Sequence, residues 1–176
     1  MQNTLIIIVA ATVLTCGMVF LSFYLLNKRL DLLLKKTVNE KQQKDNQQLI
    51  ALKMQAYERI ILYIERIELE GLVMRAFLSE MTVQQLQAAL LRTIREEYEH
   101  NTTQQLYVTE QTWECIKAAR ALVLAIIAHA CKDLAPTDNG MQLAQALFAY
   151  VQDKETYSFD KFPLTIKREM KHDVFN

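Results

Sequence analysis

The chain has 176 residues, enough for one modest domain with its own core and a further segment beside it. Its 20 lysines and arginines are matched by 20 aspartates and glutamates, so no basic field points to nucleic acid, which is not expected as a partner. Three glycines and two prolines, against a hydrophobic fraction of 51%, exclude a turn-rich β protein and a disordered low-complexity chain and favour helices.

The first element is the most strongly patterned. Residues 5–26 (LIIIVAATVLTCGMVFLSFYLL) contain no charged side chain. At about 1.5 Å per residue the run makes roughly 33 Å of helix, matching a hydrocarbon core of about 30 Å. A cleavable signal peptide does not fit, because no basic residue precedes the run and it ends in Phe23, Tyr24, Leu25 and Leu26 rather than at small residues. Lys28, Arg29, Lys35 and Lys36 follow it, which places the C-terminal part in the cytoplasm and residues 1–4 outside. The expectation is a single-pass protein of the inner (cytoplasmic) membrane, held in the lipid bilayer by a transmembrane helix over residues 5–26. The Asn101-Thr102-Thr103 sequon then carries no glycosylation meaning. Cys16, Cys115 and Cys131 lack metal-ligand spacing and read as reduced structural thiols.

Residues 27–48 hold six lysines and arginines against three acids, a net of 6 − 3 = +3, and read as a basic, polar, juxtamembrane helical stalk. Residues 49–153 read as a small antiparallel bundle, so the fold class is all-α. Its first helix buries Ile50, Tyr57, Ile60, Ile61, Ile64 and Ile67 at three- and four-residue steps, with Gly71 as its stop. Thr82 with Gln85 matches a capping box, opening a helix that faces Val83, Leu86, Leu90, Leu91, Ile94 and Tyr98 inward. A third helix begins at Thr109 and faces Trp113, Ile116, Val123, Ile126, Ile127 and Ala130 to the core. Its segment 121–131 is apolar on most sides, suiting a central helix, and is too short for a second span. The turn 136–140 (PTDNG) precedes a fourth helix from Met141 to Val151. Residues 154–176 read as a C-terminal loop and a short helix after Pro163.

Three constellations bear on chemistry. Glu97/His100 and Glu169/His172 each follow Glu-x-x-His, the spacing that puts a carboxylate and an imidazole on one helix face and builds di-iron sites when paired. Both lie near helix ends among other charges, so surface charge and capping outweigh a metal site here. His129, between Ala128 and Ala130, reads as a core or boundary histidine. Glu65 and Arg92 are candidates to pair across helices, weighed against ordinary solvated faces. The polar connector from Asn101 to Gln105 suits bonding to helix termini or to a partner. No phosphate loop, catalytic triad or zinc spacing is present, so no residue is assigned a catalytic, cofactor-binding or metal role, and no cofactor is expected.

The segments Tyr57-Glu58-Arg59, Ile64-Glu65-Arg66-Ile67, 94–101 (IREEYEHN), 104–108 (QQLYV) and Trp113-Glu114 resemble an uncharacterised bacterial family. Its members carry one N-terminal span and a helical cytoplasmic domain. The resemblance covers nearly the whole chain, is carried by residues 50–116, and implies no activity. Together these readings point to a membrane-anchored interaction or scaffold protein, not an enzyme. It would dock a protein partner at the cytoplasmic face or self-associate through a coiled-coil-like stalk. The alternatives are a small-molecule or lipid-handling domain, with a pocket near His129 or the arginines, and a metal-binding bundle.

Overall fold

A computed structural model describes the backbone of residues 2–153 and 157–175, and the side chains of residues 14–153 and 157–174. Among the described residues every regular element is helical: α1 (Gln2–Ile67), α2 (Leu69–Ala76), α3 (Val83–Asn101), a 3-10 turn (Thr102–Leu106), α4 (Glu110–Ala130), α5 (Gly140–Gln152) and α6 (Lys161–Phe175). A single β-type bridge joins Thr82 to Asn139. The chain divides into two compact units, Met1–Leu49 and Ile50–Asn176.

In the first unit the membrane expectation is corrected. Among the described residues no helix is long and apolar enough to cross a membrane. Of the run expected to span the bilayer, residues 5–13 lie outside the residues whose side chains are described, as do residues 1–4. What remains, residues 14–26, is 26 − 13 = 13 residues before Lys28 and Arg29. That is about 20 Å of helix against a hydrocarbon core of roughly 30 Å. The transmembrane helix, the single-pass character and the inner-membrane location with a cytoplasmic domain are withdrawn with it.

The second unit is built on the last turns of α1. Tyr57, Ile60, Tyr63, Ile64 and Ile67 recur at three- and four-residue steps and are each at most 1% exposed. Ile50, expected in this stripe, is 42% exposed, and Ile61 is half-buried. The helix stops at Ile67 rather than Gly71. Glu68 turns to an extended backbone (ψ 131°), and its carboxylate accepts from the amides of Glu70 (3.2 Å) and Gly71 (3.0 Å), opening α2. An acidic side chain acting as a cap thus breaks a helix that apolar periodicity carries through.

The capping box at α3 forms as its spacing dictates: Gln85 N donates to Thr82 Oγ1 at 3.3 Å and Thr82 N to Gln85 Oε1 at 3.0 Å. Thr109 caps α4 by accepting from Thr112 N at 3.1 Å. α4 packs against α3, α5 and α6, the central position expected of its apolar segment. The 136–140 turn is stitched onto the start of α3, with Val83 N donating to Asp138 O (2.8 Å), Gln84 N to Pro136 O (3.1 Å) and Gly140 N to Met81 O (2.8 Å). α6 begins at Lys161, two residues before Pro163. Proline is tolerated there because first-turn amides have no partner inside the helix. Phe162, Ile166 and Val174 of α6 are buried in the same core as α1 and α4.

The two glycines of this unit make opposite predictions. A Cβ on Gly140 would sit 2.8 Å from the Met81 carbonyl oxygen, which is itself held by the Gly140 amide. Gly140→Ala is expected to destabilise by about 1–3 kcal/mol, the range for an overpacked site. A Cβ on Gly71 approaches closely only the guanidinium tip of Arg75, 3.0 Å away on a flexible side chain, and meets Glu68 Oε2 at an ordinary 3.7 Å. Gly71→Ala is expected to be neutral or to stabilise by about 0.4–1 kcal/mol. Urea midpoints at constant m-value check both.

Candidate functional site

Two helix stripes face each other across a cleft of about 300 Å³. On α1 the stripe is Arg59, Leu62, Tyr63 and Arg66; on α3 it is Thr93, Glu96, Glu97, His100 and Asn101. Both follow three- and four-residue spacing, so each stripe lies along one face of its helix. One Arg66 nitrogen donates to both oxygens of Glu97, at 3.0 and 3.1 Å, and ties the two walls together. The Glu97 side chain is 21% exposed and that of Arg66 59%. Glu65 and Arg92, the pair considered from sequence, are both exposed, and the cross-helix ion pair belongs to their neighbours instead.

Several polar groups of the α3 wall are spent on their own helix. Thr93 Oγ1 donates to Ala89 O (3.0 Å) and Asn101 Nδ2 to Glu97 O (2.8 Å). His100 Nδ1 lies 3.0 Å from Glu96 O, and since a carbonyl only accepts, that nitrogen carries the proton. Thr102 Oγ1 bonds Tyr98 O at 2.9 Å. The Asn/Thr end of α3 therefore closes its own last turn, one of the two roles expected of that connector.

Aromatic rings form the floor. Tyr63 is 1% exposed and meets Tyr98 edge-on, with centroids 6.2 Å apart; Tyr98 leans on Trp113 at 5.8 Å. The Arg120 guanidinium sits 4.2 Å above the Tyr98 ring, a cation–π contact. Among the described residues, the Tyr63 hydroxyl and Arg120 Nε are buried without a hydrogen-bond partner. Burial pushes the Tyr63 phenol well above its usual range; the positive charge of Arg120 opposes this, and Tyr98 and Glu97 add to it. Sequence reading missed Tyr63 and Arg120. The signal for Arg120 was a cation set between Ala119 and Ala121, immediately before the apolar stretch 121–131.

A second cleft, also of about 300 Å³, is lined by Glu68, Glu70, Val151, Tyr157, Phe159 and Asp160. There the Tyr157 hydroxyl accepts from Leu69 N (3.1 Å) and donates to Glu68 (3.4 Å). Burial raises this phenol as well; the Leu69 amide opposes the shift, and Glu68 and Asp160 add to it.

Of the remaining sequence candidates, Glu97 and His100 line the first cleft, while His129, Glu169 and His172 line neither. His129 is exposed, not in the core, and its Nδ1 contacts the Tyr150 hydroxyl with the rings edge-to-face at 5.8 Å. Its position on α4 falls on the outer face, between the buried Ile127 and Ala130. Glu97 is engaged by Arg66, while Glu169 and His172 sit on α6, half-buried and exposed respectively. Among the described residues no group of three or more His, Cys, Asp and Glu side chains is placed to hold a metal ion. Cys16 is exposed, while Cys115 and Cys131 are half-buried, and burial raises the pKa of both half-buried thiols, the opposite of an activated nucleophile.

The chain matches the DUF7935 family, a family of unknown function, over residues 3–173 and belongs to it. No curated protein and no solved structure matches the chain. The expectation of an uncharacterised family is met in that coarse form; the match is to a family, without a membrane span or a bacterial source attached.

Two of the buried phenols, Tyr63 and Tyr157, separate an unsatisfied hydroxyl from a satisfied one. Tyr63→Phe removes a group without a partner and is expected to leave stability unchanged or raised, whereas Tyr157→Phe strands the Leu69 amide and is expected to cost about 1–3 kcal/mol. Both folded-state pKa values lie above the usual 10.0, so their contribution to stability is complete below pH 10 and is lost as pH rises beyond it. Denaturant midpoints from pH 8 to 11 should fall above pH 10, less steeply in Tyr63→Phe than in the parent chain. An equal slope in both proteins contradicts the assignment.

Proposed function

We propose that this member of the DUF7935 family is a helical recognition module that docks a partner protein in the cleft between α1 and α3 and performs no chemistry of its own. The observation that supports this most directly is the division of charge across the cleft. Arg59 and Arg66 line the α1 wall, and Glu96 and Glu97 line the α3 wall. The Arg66–Glu97 pair bridges the walls, while no ion pair joins Arg59 to Glu96. A partner segment carrying both signs of charge finds complementary groups on the two sides, which favours specificity and orientation more than raw affinity.

A non-catalytic role is favoured by the titration pattern. Two phenols and two thiols are moved by burial toward their neutral forms, and Lys117 is held charged by its hydrogen bond to Glu114; none is brought toward neutral pH as an acid–base pair would be. Self-association has separate support in the first unit. Leu30, Leu34 and Val38 follow one another at four-residue steps and are 55%, 57% and 61% exposed, a row that suits pairing with a second helix. A small-molecule reading of the cleft is favoured by its volume, about 300 Å³, at the lower end of ligand pockets.

A photo-crosslinking amino acid placed at Leu62, 46% exposed within the cleft, tests the docking reading against one at Met74, 70% exposed on α2 and outside it. The expected result is a discrete protein adduct from position 62 in cells, absent from position 74. It should fall at least tenfold when the walls are exchanged by Arg59→Glu with Glu96→Lys. Adducts of equal yield from both positions, or an adduct indifferent to the exchange, would count decisively against the cleft.

A further inference from the structure

We propose that the group seated in the α1/α3 cleft is a small zwitterion, an amino acid or short peptide bearing one ammonium and one carboxylate, with the carboxylate on the α1 wall and the ammonium on the α3 wall. This rests on the cleft being the recognition site and names the chemistry it selects.

The hydrogen-bond inventory of the two walls carries the assignment. The charged groups of the α1 wall, Arg59 and Arg66, are guanidinium groups, which only donate. The α3 wall offers acceptors. Glu96 presents a carboxylate; Thr93 has given its proton to Ala89 O and keeps its oxygen lone pairs; Asn101 has given an amide proton to Glu97 O and keeps its carbonyl oxygen. A ligand lying across the cleft therefore meets charged donors on the α1 wall and mainly acceptors on the α3 wall, where one Asn101 amide proton and the His100 ring stand beside them. Arg66 and Glu97 are committed to each other, which leaves Arg59 and Glu96 as the charges available to a ligand. An anion alone would gain Arg59 and be repelled by Glu96, and a cation alone would meet the reverse. A molecule with both charges avoids either repulsion. The volume of about 300 Å³ suits a group of this small size class. Tyr63, under the floor, has its hydroxyl buried and contributes a ring surface rather than a ligand contact.

Affinity of the full chain for L-alanyl-L-alanine, its N-acetyl form (carboxylate only), its C-terminal amide (ammonium only) and L-alanine tests the assignment by ligand-observed NMR and calorimetry. The zwitterionic dipeptide or the free amino acid is expected to bind at least tenfold more tightly than either singly charged form. Whichever of the two binds better identifies peptide or free amino acid as the source. Added salt should weaken the binding, because the contacts are partly exposed charges. Arg59→Gln should cost threefold or more with the N-acetyl form and little with the amide; Glu96→Gln should do the reverse. Both side chains are exposed, and unchanged melting temperatures would show that each variant folds. Equal affinity for all probes, no binding of either zwitterion, or variants that do not discriminate between the two singly charged forms overturns the assignment. If the Leu62 adduct survives while neither zwitterion binds, docking in the cleft stands and the zwitterion falls. If saturating dipeptide suppresses that adduct, one site serves both.

Discussion

Burial of one stripe on α1 is the constraint on which the second unit depends. Tyr57, Ile60, Tyr63, Ile64 and Ile67 are all at most 1% exposed. Each large apolar side chain removed from water contributes about 1.5–3 kcal/mol. The Arg66–Glu97 ion pair at the cleft is of another order, because a partly exposed pair contributes roughly 0.2–1 kcal/mol. The walls of the cleft are therefore held apart and in register chiefly by what lies beneath them. Long side chains span the gap between α1 and α3: Tyr63 against Tyr98, and Arg66 to Glu97. Alanine or valine at those positions would leave too little reach to bridge the helices.

The same stripe explains where sequence reading succeeds and where it fails. Local chemistry was legible. Thr82 with Gln85, Thr109, and the 136–140 turn each satisfy backbone amides through a side chain or close approach within a few residues, so the pattern alone fixes them. The stop of α1 was not legible, because Glu68 is a poor cap by residue type and works here only because Gly71 and Glu70 place their amides under its carboxylate. Leu69 then re-enters the core, so the hydrophobic period runs on through the break. The extent of α6 was obscured in a similar way. Its first turn contains Pro163, and its apolar residues Phe162, Ile166 and Val174 are separated by charges that suggest a solvated tail. Only the tertiary position of α6 against α4 gives them a partner.

The site itself was only half readable. The arginines and the Glu97/His100 spacing were visible, and two functional readings of them competed. Which partner each charge finds is a three-dimensional fact: Arg66 reaches Glu97 thirty-one positions away, and Glu65 and Arg92 turn outward. Of the core and boundary readings of His129 the core one fails, because helical geometry puts it on the outer face between the buried Ile127 and Ala130. In the first unit the pattern of residues 5–26 was a statement about hydropathy over a continuous stretch. Only residues 14–26 of it have described side chains, and that remainder falls short of a bilayer.

The bonding pattern around the cleft fixes which of its groups are already engaged and which remain open. A reactive site needs a nucleophile or base whose pKa is brought toward neutrality and a second group that orients it. Here the groups with the clearest shifts are driven away from neutrality by burial, and Glu97 is held by a guanidinium. His100 is anchored through Nδ1 to the backbone of its own helix. What is left exposed to the cleft is a set of fixed donors facing a set of fixed acceptors, an arrangement that can hold a charged group in one orientation. Strain is absent from this arrangement as well: among the described residues no peptide bond is cis and no backbone φ is positive. Under the proposed reading, opposed charged walls above the Tyr63 ring would order a ligand by complementarity, with binding energy going into orientation.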